Sequence, residues 1–315
     1  MKRCLCCYKP LHAGEIDYHP QCAKKIFGSP TAPVLPYTRK DINDLAQVIV
    51  ANSTTVTGVQ SKLSIDLQQD NTGGPQRLTT VGLMGRYILK PQTERFERLP
   101  EIEDLSMHLA EIAKIPTVPH ALIRFVDGEL NYITRRIDRT DDGQKLPMED
   151  MCQLSGKLTK QKYQGSYELI AKIIEQYSSL PQLDKINYWQ QVVFSWIIGN
   201  ADMHLKNFSL YSPRTGQYVL SPTYDQVSTK IVMPEDTEEM ALSLNGFKKK
   251  LLVYDFREAM YSTDISEVVA NRILSDFSKF RDKWFACIDA SFISDDQKQN
   301  YKALIDSRLD LLAWE

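Results

Sequence analysis

Asp202 and Asn207 stand five residues apart in Gly199-Asn200-Ala201-Asp202-Met203-His204-Leu205-Lys206-Asn207-Phe208, directly after the apolar run Val192-Val193-Phe194-Ser195-Trp196-Ile197-Ile198. A carboxylate and an amide on one short loop suit phosphoryl transfer. The carboxylate can orient and deprotonate an attacking hydroxyl, and the amide oxygen is a hard ligand for Mg²⁺. Asp225, in Leu220-Ser221-Pro222-Thr223-Tyr224-Asp225-Gln226, offers a second oxygen ligand. Lys90, closing Arg86-Tyr87-Ile88-Leu89-Lys90, offers an ammonium for nucleotide phosphates, and Glu103 is its natural ion-pair partner. Singly, each has an ordinary structural reading: a solvated strand-end lysine, a helix-dipole acid, an aspartate in a turn after proline.

A second group lies at the N-terminus. Cys4-x2-Cys7 and His19-x2-Cys22 form two chelating pairs separated by eleven residues. They match a tetrahedral Cys₃His zinc site, with Cys6 as the spare thiol. The other reading is free thiols in a segment packed on the remaining chain. So short a segment has little apolar surface of its own, so a metal would be its main source of order. Cys152 and Cys287 read as small buried hydrophobes.

The elements that must position these groups follow from periodicity. Residues 1–30 form the Cys/His segment, ending at Gly28-Ser29-Pro30, and an extended proline-containing stretch runs on to Thr38. Asp41 to Asn52 has helical spacing. From Val56 to Ile137 the pattern is mainly β: Leu63–Leu67 and Arg86–Lys90 read as strands, and Asp127-Gly128 marks a hairpin between 120–125 and 130–135. A helix is predicted over Ile102–Ala113. Beyond about residue 147 the chain turns helical, with helices predicted over Tyr167–Tyr177, Ile186–Gly199, Ile265–Ala290 and Asp295–Trp314. A second hairpin, 208–211 with 217–220, would return Asp225 to Asn207. The fold class is therefore α+β, a β-rich half (31–139) and a helical half (140–315) flanking a cleft.

With 315 residues, 43% of them hydrophobic and 25% charged, the chain has the composition of a globular protein large enough for two cores. A net charge of −2 gives no global drive toward nucleic acid. No apolar run approaches the roughly 20 residues of a membrane span. The start lacks the apolar core of a signal peptide, so cytoplasm is the expected compartment.

The D-x-x-x-x-N spacing is that of the protein-kinase catalytic loop. Val56-Thr57-Gly58-Val59-Gln60-Ser61-Lys62, Tyr87-Ile88-Leu89-Lys90-Pro91, Arg136-Ile137-Asp138-Arg139, Met148-Glu149-Asp150-Met151-Cys152-Gln153, Asn200 to Ser209 and Pro222-Thr223-Tyr224-Asp225 occur in order. This ordered set, spanning about residues 50–312, resembles the HipA family of bacterial toxin serine/threonine kinases. The resemblance implies a two-lobed protein-kinase-like fold using ATP and Mg²⁺. Lys90 would grip the phosphates with Glu103 orienting it, and Gly58, Gln60 and Lys62 would belong to the phosphate loop. The backbone from Arg135 to Ile137 would meet adenine and Asp138 the ribose. Asp202 would be the base, Asn207 and Asp225 the Mg²⁺ ligands, and His204 a support for the loop.

Three departures accompany the resemblance. The phosphate loop has one glycine, Gly58. Where the family carries a self-phosphorylated serine, this chain has Thr55 and Thr57. Few residues precede Gly58, so the chain resembles the shortened, HipT-like kinases of three-part systems, in which a small separate protein supplies the missing N-terminal subdomain. By resemblance alone, that protein, a helix-turn-helix antitoxin through which nucleic acid is met indirectly, and an aminoacyl-tRNA synthetase as substrate are the implied partners. Two other classes stay open: a degenerate kinase serving as a binding scaffold in a DNA-binding antitoxin complex, and a small-molecule or lipid kinase.

Overall fold

A computed structural model of the chain describes residues 2–42, 44–45, 62–68, 76–81 and 85–313. Thr55, Thr57, Gly58 and Gln60, with most of the expected 41–52 helix, lie outside them. The chain divides into two compact units. Unit 1 comprises Met1–Asp104, Val118–Lys145 and Ala290–Phe292; unit 2 comprises Leu105–Thr117, Leu146–Asp289 and Ile293–Glu315.

Unit 1 is built on a five-stranded antiparallel sheet. Its strands are β1 (Leu63–Gln68), β2 (Arg77–Thr80), β3 (Tyr87–Lys90), β4 (His120–Arg124) and β5 (Leu130–Arg135), ordered β2-β1-β3-β5-β4. Alternation sets the buried face: Leu63 and Ile65 of β1 and Tyr87 and Leu89 of β3 all enter the core. Gly128, at φ 91°, turns β4 into β5 as the Asp127-Gly128 signal predicts. The helix Pro20–Phe27, which the periodicity did not reveal, sends Ala23, Ile26 and Phe27 into the same core. The stretch after it is extended as expected, but Val34 pairs in parallel with Arg77 and adds to β2.

The helix Leu99–Ile112 is buried on every side, its first turns counted in unit 1 and the rest in unit 2. Pro91 stops β3, and the loop to Leu99 then delivers Glu103.

Unit 2 is mainly helical around the helix Pro181–Ile197, whose Tyr188, Trp189, Phe194 and Trp196 are fully buried. It starts five residues before the expected Ile186, with Pro181 at its first turn and Asp184 complementing the dipole. Tyr167–Tyr177 has its expected bounds, and a last helix covers Asp295–Ala313. The single helix expected over Ile265–Ala290 is instead broken into Glu267–Asp276, a 3₁₀ turn at Phe277–Phe280, and Arg281–Ala290. The break stacks Phe277 on Trp284, ring centroids 6.1 Å apart, within reach of Phe194. Sheet pairing also draws in a short strand that sequence reading missed: β6 (Met148–Asp150) joins β7 (Ser209–Arg214) and β8 (Gln217–Leu220) in the order β6-β7-β8.

Candidate active site

Unit 1 places Lys90 at the end of β3, opposite Tyr132 of β5. Lys90 as a residue is 3% exposed; its ammonium lies 5.3 Å from the Tyr132 ring centroid and is ion-paired with Glu103, itself 2% exposed. Lys90 is therefore no solvated strand-end lysine. A buried ammonium needs a partner, and Glu103 of the Leu99–Ile112 helix supplies it. The next residue, Asp104, is fully buried; one carboxylate oxygen accepts from Tyr8 Oη at 2.6 Å and the other lies 2.7 Å from His120 Nδ1.

The residues that the resemblance assigns to the nucleoside begin at Arg135, the last residue of β5. Arg135 pairs with Asp141, and the Arg136 N–H donates to the Arg86 carbonyl at 2.8 Å. Ile137 is half-buried, and the Asp138 carboxylate receives both arms of the Arg136 guanidinium at 2.8 and 2.6 Å. Burial works to raise Asp138, but the Arg136 bonds prevail and hold its carboxyl below the usual range. Lys62 is exposed, immediately before β1.

Unit 2 holds the loop. Gly199, at φ 69°, ends the Pro181–Ile197 helix and starts the turn to Asp202. The loop closes on itself: Asn207 Nδ2 donates to the Asp202 carbonyl at 3.0 Å, and the His204 N–H donates to the same carbonyl at 2.8 Å. With Nδ2 committed to that carbonyl, the Asn207 amide oxygen is the end that could ligate a metal. Asn200 Oδ1 accepts the Asp202 N–H at 3.1 Å. Lys206 reaches out of the loop to Asp150 at 2.6 Å. Asp150 also caps the short helix Met151–Leu154 in a reciprocal box with Gln153, which accounts for the D-x-x-Q of that motif.

The β7–β8 hairpin brings the Asp225 turn back to this loop. Tyr224 Oη donates to the Lys206 carbonyl at 3.2 Å and lies 2.6 Å from Ser209 Oγ. Gln226, where kinases usually carry Phe, is fully buried and ties the two segments together. Its Oε1 accepts from Asn200 Nδ2 at 3.1 Å and from Ser195 Oγ at 3.2 Å, while its Nε2 donates to Thr223 Oγ1 at 2.9 Å. Asp225 sits at φ 56°, in the left-handed region that is uncommon for non-glycine residues but that aspartate enters more readily than most. An amide oxygen and a carboxylate on these joined segments are the hard donors that Mg²⁺ prefers.

Tyr163 is a site residue that sequence reading missed. Its phenol donates to Asp202 Oδ1 at 2.6 Å, and its ring meets the His204 imidazole edge-on at 5.0 Å. Burial, then the Asp202 carboxylate, pushes the phenol well above its ordinary range, so it stays a donor. His204 is buried, and that burial lowers its imidazole to about 4, leaving it neutral at physiological pH. No spacing signal tied Tyr163 to a loop 39 residues away. The N-terminal pairs also converge: Cys4, Cys7, His19 and Cys22 each bring a ligand atom within 4.8 Å of the others.

The chain is similar to several known proteins. The HipA-like C-terminal domain description matches residues 54–284, well over half of the chain. Two curated relatives carry the name "Putative kinase": Y4dM of Sinorhizobium fredii, 30% identical over 74% of this chain, and a Haemophilus influenzae protein, 28% identical over 62%. The chain spans 59% and 58% of their lengths. Among solved structures, Shewanella oneidensis HipA, determined with HipB and operator DNA, superposes with a TM-score of 0.70 at 17% identity, covering 89% of this chain and 72% of that one. The Helicobacter pylori proinflammatory kinase CtkA superposes at 0.57 with 14% identity, covering 79% of this chain and 95% of that one. The α+β kinase-like fold is common to all three, and by the extent of the family match this chain belongs to the HipA-like C-terminal domain family.

Proposed function

We propose that the chain is an ATP- and Mg²⁺-dependent kinase that phosphorylates serine or threonine hydroxyls of proteins, itself included at Thr55 or Thr57. The observation that carries this reading is the fastening of the Asp202–Asn207 loop to the Asp225 turn through buried Gln226. A scaffold needs no such arrangement of a carboxylate, an amide oxygen and a second carboxylate. The parts are divided between the units, with Lys90 and Glu103 on unit 1 and Asp202, Asn207 and Asp225 on unit 2. When bound, ATP supplies the transferable phosphoryl group and Mg²⁺ neutralises its charge. Lys90 would hold the phosphates, and Asn207 and Asp225 the metal. Asp202 would orient the acceptor hydroxyl and take its proton. The Tyr163 phenol resting on Asp202 Oδ1 supports this, since a hydroxyl already occupies the place an acceptor would take.

The names of the relatives and the HipA–HipB assembly of the Shewanella neighbour support a toxin-type kinase working with an antitoxin. A translation component such as an aminoacyl-tRNA synthetase is the substrate that the family resemblance favours, and a small protein completing the N-terminal lobe is the further partner. Co-purification with the products of neighbouring genes tests both partners. For the enzyme itself, Asp202→Asn is expected to lower ATP turnover about 10²–10⁴-fold, the usual contribution of a positioned base. Equal turnover in wild type and variant would sink the kinase reading.

A further inference from the structure

Residues 2–28 supply none of the groups assigned above to phosphoryl transfer, yet several of them enter the core of unit 1. Cys4, Leu5 and Ile26 are fully buried, and Cys6, Tyr8 and Phe27 nearly so. The segment covers β4, which lies at one edge of the sheet. The Leu122 N–H donates to the Leu5 carbonyl at 3.0 Å, Tyr18 Oη donates to the Leu122 carbonyl, and Asp17 pairs with Arg124 at 2.9 Å.

Four ligand atoms gather within this segment. A tetrahedral zinc with sulfur at about 2.3 Å and nitrogen at about 2.0 Å holds its ligand atoms roughly 3.3–3.8 Å apart. Cys7 Sγ and Cys22 Sγ lie 3.4 and 3.8 Å from His19 Nδ1. The other imidazole nitrogen is committed: Nε2 lies 3.0 Å from the Pro10 carbonyl and 3.7 Å from Glu15 Oε2. Donating there fixes the tautomer and leaves the Nδ1 lone pair facing the thiols, the second-shell arrangement of a metal-binding histidine. The backbone is shaped to match. The Tyr8 N–H closes the Cys4–Cys7 turn on the Cys4 carbonyl at 3.0 Å, and His19 and Cys22 flank the first turn of the Pro20–Phe27 helix. All six cysteines are thiols.

The turn has a second consequence. Tyr8, at φ 60°, packs edge-on against Phe292 at 5.2 Å, and its hydroxyl donates a hydrogen bond to Asp104 Oδ2 at 2.6 Å. Asp104 adjoins Glu103, the partner of Lys90. The segment thus meets the Leu99–Ile112 helix one residue from the candidate nucleotide-binding pair.

We propose that Cys4, Cys7, His19 and Cys22 bind one zinc ion, and that the segment so ordered braces, through Tyr8, the helix that carries Glu103. Tyr8 is then a positioning residue. The metal site stands whether or not the chain is a kinase; only the value of the brace for catalysis rests on that reading.

The test uses the full-length protein purified without chelator. Mass spectrometric metal analysis is expected to find about one zinc per chain, falling by more than half in Cys22→Ser. Cobalt(II) put in place of zinc should give the visible absorption of a tetrahedral thiolate site. Tyr8→Phe is expected to keep its zinc while amide exchange over 99–112 quickens about tenfold, as loss of one buried hydrogen bond to a carboxylate predicts. Less than about half a zinc per wild-type chain overturns the site. Zinc bound at full occupancy, with exchange over 99–112 unchanged in Tyr8→Phe, overturns the brace. If Cys22→Ser fails to fold, the wild-type metal content and Tyr8→Phe decide alone. A zinc-loaded, braced chain without Asp202-dependent turnover would sink the kinase reading and leave this inference intact.

Discussion

Lys90 and Glu103 form a pair that neither member tolerates losing. Both are almost fully buried, so replacing Lys90 alone leaves a desolvated carboxylate without its cation, a change that costs about 3–5 kcal/mol. Lys90→Met should therefore melt well below wild type, and the double variant Lys90→Met/Glu103→Leu should melt above the single one by calorimetry. Neither should turn over ATP. A neighbouring acid, Glu101, makes stability depend on pH. Glu101 is buried in the first turn of the same helix, and that burial raises its carboxyl to about 7, only partly offset by its own backbone and by Arg98. In the unfolded chain a glutamate titrates near 4.3. The folded form holds the proton more tightly, so the stabilisation is fully present below about 4.3 and is lost as pH rises through about 7. Glu101→Gln, a permanently neutral mimic, should raise the melting temperature more at pH 8 than at pH 5. An equal rise at both would mean that Glu101 is charged throughout.

Among the elements, the join between the Pro181–Ile197 helix and the loop tolerates little change. A Cβ at Gly199 would come within 2.8 Å of Leu304 Cδ2 and 2.9 Å of Lys230 Cβ, on a backbone at φ 69°. Gly199→Ala should cost about 1–3 kcal/mol and displace Asp202, lowering turnover more than ATP affinity; steady-state kinetics separates the two. What was legible in the chain follows from how local its cause is. Strands β1, β3, β4 and β5 of unit 1, both hairpins and the Tyr167–Tyr177 helix announce themselves through alternation, Asp127-Gly128, Gly216 and the 3.6-residue period. The break at Phe277–Phe280 has no glycine or proline to mark it, because it is imposed by aromatic packing on Trp284. Strands β2 and β6 are too short to carry a period and exist by pairing. Asp202, Asn207 and Asp225 were legible as a spacing. Tyr163 and the fastening role of Gln226 were not, since both act through tertiary hydrogen bonds.

At the scale of the whole molecule, the proposed acceptors Thr55 and Thr57 and the proposed base Asp202 fall in different parts of the sequence, so self-phosphorylation on this reading would have an order to be measured. Incubation with ATP and Mg²⁺ is expected to add phosphate to Thr55 or Thr57, read by intact mass, with none added in Asp202→Ala. A rate per molecule unchanged on dilution would assign the transfer within one chain, and a rate that falls would assign it between two. The last helix bears on a different clock. Leu304 closes on Gly199, Tyr301 Oη meets Ser106 Oγ at 2.8 Å, and Arg308 binds Glu239 at 2.6 Å while lying over Trp196. The ribosome makes Asp202 about 100 residues before these supports, which at roughly 5–20 residues per second is an interval of roughly 5–20 seconds. Throughout that interval the nascent chain would carry Asp202 on an unbuttressed loop, so any turnover that depends on Asp202 would begin only after residues 301–308 have been made and packed.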